Sequence, residues 1–120
     1  MDQLSAGVAR VEITDTTAGE PNDPLYAKAL VLKDAGTTVI LVTLDAVAIE
    51  EIGPIRNGYL QEVRTQLEAE LDIKPESVIV AASHCHGAVC DDVADRTVQS
   101  VRDAWENVEP VRAGTGEGHE

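Results

Sequence analysis

The segment from Thr38 to Asp45, TVILVTLD, constrains the fold more than any other part of this sequence. It is a nearly continuous run of β-branched and leucine side chains, so it reads as a central strand covered on both faces. Leu25 to Lys33 (LYAKALVLK) precedes it, joined by Asp34-Ala35-Gly36-Thr37. That connection is hairpin chemistry, because Gly36 can take a positive φ. Upstream, Gly7 to Ile13 (GVARVEI) alternates around Val8, Val11 and Ile13 as a short strand, followed by the turn-rich polar loop TDTTAGEPNDP.

Beyond the hairpin the apolar period changes from two to nearly four. From Pro54, the residues Ile55, Tyr59, Val63, Leu67 and Leu71, joined by Leu60, predict one amphipathic helix that ends at Lys74-Pro75. Ser77 to Ser83 (SVIVAAS) is a third buried strand. Asp91-Asp92 opens a second helix with the inner stripe Val93, Thr97, Val101, Ala104, Trp105 and Val108, and Val111 to Gly114 is expected as a last short strand. The expectation is an α/β fold: a mixed, largely parallel sheet with two βαβ crossovers and an N-terminal hairpin. No repeat or linker divides residues 1–120, which read as a single α/β domain. The length is too short for a full (β/α)₈ barrel.

Charge narrows the partners. Twenty-two acidic against nine basic residues leave a net charge of -13, a field that repels nucleic acid and anionic membranes. No stretch approaches the ~20 apolar residues of a membrane span, and the start, MDQLSAGVARVEI, has no export signal, so the default location is cytoplasmic. In a reducing compartment Cys85 and Cys90 are expected as free thiols.

The chemistry gathers after SVIVAAS, in His84-Cys85-His86. If the strand stays extended, His84 and His86 point to one side, where two imidazoles grip one ion, and Cys85 points to the other. The position suits this, because open α/β sheets bind ligands outside the carboxyl ends of their strands. Zinc is the expected ion, since neutral imidazole suits it and Zn²⁺ activates both water and a carbonyl. A third ligand is then required. Cys90, Asp91 and Asp92 are near in sequence, although helix capping and core packing also account for them. Asp45 ends the central strand and is expected in the same crevice, either as a turn residue or as a catalytic or histidine-orienting carboxylate. His119 lies in the Gly- and Glu-rich tail, where disorder is the expectation.

Four segments in order resemble the N-terminal part of the neutral/alkaline non-lysosomal ceramidase family. They are Gly7-Val8-Ala9-Arg10-Val11-Glu12-Ile13-Thr14, Asp23-Pro24-Leu25-Tyr26-Ala27-Lys28-Ala29-Leu30, Leu44-Asp45, and Ala82-Ser83-His84-Cys85-His86-Gly87. The family's last segment reads approximately Thr-His-Thr-His-Ser-Gly-Pro; this chain departs from it with Gly87-Ala88-Val89. The resemblance implies a zinc-dependent amidase acting on a small-molecule or lipid-like amide, with His84 as a zinc ligand and His86 near the substrate. It also implies a further histidine, a glutamate and a tyrosine from a much longer chain, so that these 120 residues are either incomplete or act in a homo-oligomer. A noncatalytic α/β module with structural histidines is the alternative. A metallo-β-lactamase-like site fits less well, because its motif requires Asp and His where Ala88 and Val89 stand.

Overall fold

A computed structural model describes residues 3–20 and 22–120. Met1, Asp2 and Pro21, the last within the expected polar loop, lie outside the described residues. In chain order the elements are β1 (Ser5–Glu12), β2 (Tyr26–Lys33), β3 (Thr38–Leu44), α1 (Tyr59–Leu71), β4 (Val78–Ala82), α2 (Val93–Glu106) and β5 (Glu109–Pro110). The strands form one mixed sheet in the order β4-β3-β2-β1-β5. The class is the one expected, but the sheet is mostly antiparallel. β1 pairs antiparallel with β2, β2 with β3 and β1 with β5, and only β3 and β4 run parallel, joined through α1.

The second crossover departs from expectation for a packing reason. α2 lies across β1 and β2, so the chain leaves it at the far edge of the sheet and β5 joins β1, with Ser5 opposite Pro110. Pro110 offers no N–H, which keeps this ladder short. The Val111 N–H adds a bond to the Leu4 carbonyl at 2.9 Å, so the last pairing falls just before the expected Val111–Gly114 segment. β1 approaches α2 so closely that a Cβ on Gly7 would meet the Ala104 carbonyl oxygen in the helix's last turn.

Turn chemistry differs in detail as well. The hairpin turn is built by Asp34, whose Oδ1 accepts from the N–H groups of Gly36 and Thr37 at 3.1 and 3.0 Å; Gly36 takes no positive φ. α1 begins at Tyr59 rather than near Pro54, because Gly53 and Gly58 adopt left-handed conformations that prevent an earlier helix. The Glu50 carboxylate then takes the place of a cap, accepting from the N–H groups of Gly58 and Leu60. At the other end Asp72 is left-handed, and its N–H returns to Glu68.

Both helices pack on one face of the sheet. Ala27, Ala29, Val31, Ile40, Val42, Leu44 and Val78 point toward them and join Val63, Leu67, Val98 and Val101 in one core. A buried polar link crosses between the helices, with the Tyr59 hydroxyl 2.7 Å from Thr97 Oγ1, which itself donates to the Val93 carbonyl. Burial pushes the Tyr59 phenol above its ordinary pKa. Among the described residues no helix lies over the other face, where Val8, Leu41 and Ile79 stand 65%, 36% and 53% exposed. β3 is therefore covered on one face only, where its sequence leads to the expectation of two.

Gly7→Ala is expected to lower stability by about 2–3 kcal/mol in urea unfolding, because the new methyl group forces β1 off α2. Gly36→Ala, which faces open space, is expected to change it by less than about 1 kcal/mol.

Candidate functional site

The parallel strands β3 and β4 end side by side, Leu44 opposite Ala82, and their pairing continues as single bonds beyond both ends. The Ser83 N–H donates to the Leu44 carbonyl and the His84 N–H to the Ala46 carbonyl, each at 2.9 Å. Asp45 clasps the junction. Its Oδ2 accepts from the Tyr26 N–H at 3.0 Å and its Oδ1 from the Ser83 hydroxyl at 3.2 Å, while its own N–H donates to the Tyr26 carbonyl. One carboxylate thus ties together the start of β2 and the ends of β3 and β4.

His84 does not continue the strand. Regular pairing stops at Ala82, and His84 takes a left-handed φ of 71°, an uncommon conformation for a residue with a side chain. The turn brings its ring against that of His86, edge to face, with centroids 4.7 Å apart. The two imidazoles do meet as the sequence leads one to expect, through a turn rather than through strand alternation. His84 Nδ1 lies 2.7 Å from the Val47 carbonyl oxygen, which can only accept, so Nδ1 carries a proton and the neutral ring has its lone pair on Nε2. Both rings are exposed.

Cys85 and His86, expected on opposite sides, line one cleft of about 470 Å³ with Thr14, Asp15, Asp23 and Leu25. Its floor is set by backbone pairing: Asp15 N–H to Ala88 carbonyl at 2.9 Å and Cys90 N–H to Ile13 carbonyl at 2.8 Å. Gly87 permits that approach, because a Cβ there would press on the Leu25 side chain.

The other ligand candidates face elsewhere. Cys90 and Asp91 line a separate cleft of about 780 Å³ beside Tyr59 and Arg56. Asp92 pairs with Arg96 at 3.0 Å, and its carboxyl is held below the usual range first by the Cys90 thiol and then by Arg96. Burial, aided by the Asp92 carboxylate, pushes the Cys90 thiol up to about 11. His119 is exposed and outside any regular element. Among the described residues no group of three His, Cys, Asp or Glu side chains is placed to hold a metal ion. The features sequence reasoning missed, the Val47 carbonyl and the left-handed turn at His84, are backbone features, and no side-chain motif announces them.

No protein-family model matches the chain, and no curated protein matches it. Solved structures do. A crystal structure of neutral ceramidase from Pseudomonas aeruginosa matches 92% of this chain with a TM-score of 0.73 at 18% identity, and a ceramidase described as complexed with C2 matches 92% with a TM-score of 0.74 at 16% identity. The chain spans 22% of the length of each. It shares their fold over that span. Among the described residues no helix is long and apolar enough to cross a membrane.

Asp45→Ala is expected to cost about 1–3 kcal/mol, since the Tyr26 N–H and Ser83 hydroxyl both lose their acceptor; chemical denaturation checks it. Cys90 is expected to resist alkylation at neutral pH and to gain reactivity with a midpoint near 11. Its folded pKa lies above the unfolded value, so the thiol's contribution to stability is complete below about pH 9 and is lost as pH rises toward 11.

Proposed function

We propose that this chain is the histidine-bearing part of a zinc-dependent amidohydrolase similar to neutral ceramidase, acting on the N-acyl bond of a small or lipid-like amide. The observation that carries the reading is the state of His84. Its Nδ1–H is fixed on the Val47 carbonyl, which leaves Nε2 as the ligating nitrogen, and His86 stands against its edge. A backbone carbonyl holding the far nitrogen is the usual outer support of a zinc-ligating histidine.

The residues fit zinc in kind but not in number. Catalytic zinc sites take three protein ligands, and the described residues bring together two imidazoles, so a complete site needs further donors, from additional polypeptide or from a second copy of the chain. Zinc, when bound, supplies Lewis acidity toward a carbonyl oxygen and toward water. Within this chain His84 is the ligand. His86, in the wall of the 470 Å³ cleft, contacts substrate or joins the shell. Asp45 keeps the strand ends, and with them His84, in register.

One observation favours the noncatalytic alternative: both Asp45 oxygens are already occupied by Tyr26 and Ser83. A zinc titration followed by calorimetry separates the two readings. The expected result is weak, histidine-dependent uptake by the chain, abolished by His84→Ala and reduced by His86→Ala, with amide hydrolysis appearing only when the missing donors are supplied. Zinc uptake that is unchanged in the His84→Ala variant, together with a lower melting temperature in the absence of metal, would assign the histidines a structural role.

A further inference from the structure

We infer that the uncovered face of the sheet is a self-association surface, on which a second copy of this chain packs face to face. The strand registers place Val8, Leu30, Leu41 and Ile79 directly opposite one another, a single apolar row that crosses β1, β2, β3 and β4. On one side of it runs the row Ala6, Leu32 and Val39; on the other run Arg10, Lys28, Thr43 and Ala81. A shallow groove of about 530 Å³ follows the middle of this surface.

Charge points to a like partner. The chain carries a net charge of -13, yet Glu12 is the only acidic residue whose alternation in β1–β4 turns it to this face, against Arg10 and Lys28. Two copies repel wherever acidic surface meets acidic surface, and this face is where they approach with least repulsion. The rows are also self-complementary. With a two-fold axis along the Val8–Ile79 row each strand lies over its own copy, so each copy's Arg10 lies over the other's Ala6 and its Lys28 over the other's Leu32, which their aliphatic stems cover, and the basic rows stay apart. Two such faces pack as the inner layers of a sandwich about 10 Å apart. A second copy thereby gives TVILVTLD the two-sided cover that its composition requires.

The area sets the strength. Four strands of this length present a face of roughly 20 Å by 25 Å, so the pair buries about 1,000 Å², the lower limit of specific interfaces. A reversible dimer follows, rather than a permanent one. Sedimentation velocity of the chain from low micromolar to submillimolar concentration tests this. The expected result is a monomer–dimer equilibrium whose Kd rises about tenfold or more in both Leu41→Asp and Leu41→Lys, with the circular dichroism spectrum of the dilute, monomeric chain unchanged. The lysine variant matters because it lowers the net negative charge, so weakening there reports lost apolar contact rather than added repulsion. Two outcomes overturn the inference. A dimer that survives the Leu41 and Val8→Asp substitutions associates elsewhere, as by the free edge of β4, and a chain monomeric throughout leaves the face to an unlike polypeptide.

Discussion

The parallel pairing of β3 with β4 is the constraint on which the rest depends. Parallel neighbours cannot be joined by a tight turn, so the chain between them must cross over, and α1 is that crossover. The same pairing brings two carboxyl ends of strands to one place. There Asp45 and Ser83 meet, the Ala46 carbonyl takes the His84 N–H, and the Val47 carbonyl takes the His84 ring. A shift of register by one residue would reverse the faces of β4 and move His84 away from the carbonyl that orients it.

The left-handed turn at His84 has a local cost and a local support. A side chain at φ 71° is disfavoured by roughly 1–3 kcal/mol, and it persists where surrounding contacts over-determine it. Those contacts are present: the His84 N–H and Nδ1 are both bonded, to Ala46 and Val47, and the preceding Ser83 is bonded through backbone and side chain. A residue held once through its backbone and once through its ring loses little further freedom on binding, which is the advantage of preorganising a ligand or contact residue before the ion or substrate arrives.

One-sided packing divides the molecule electrostatically. The helices bury the apolar side of the sheet and carry acidic residues such as Glu62, Glu68, Glu70 and Asp103 on their outer surfaces, while the opposite face of the sheet is apolar and slightly basic. Such a separation places most of the acidic surface of a chain of net charge -13 on the helical side and leaves the apolar surface on the other.

Much of this was legible in the sequence. Periodicity located the four strands β1 to β4, both helices and the hairpin, because burial imposes a period of two or near four wherever an element lies on a core. His84-Cys85-His86 after an apolar run marked the site, because strand ends are where α/β sheets expose chemistry. What periodicity cannot carry is which strand an element pairs with. That β5 crosses to β1, that β3 is open on one face, that Cys85 shares a cleft with His86 while Cys90 does not, and that a backbone turn rather than strand alternation joins the two imidazoles were decided by tertiary structure. These features depend on contacts between residues far apart in the chain and on backbone carbonyls, and neither leaves a local pattern in the side chains.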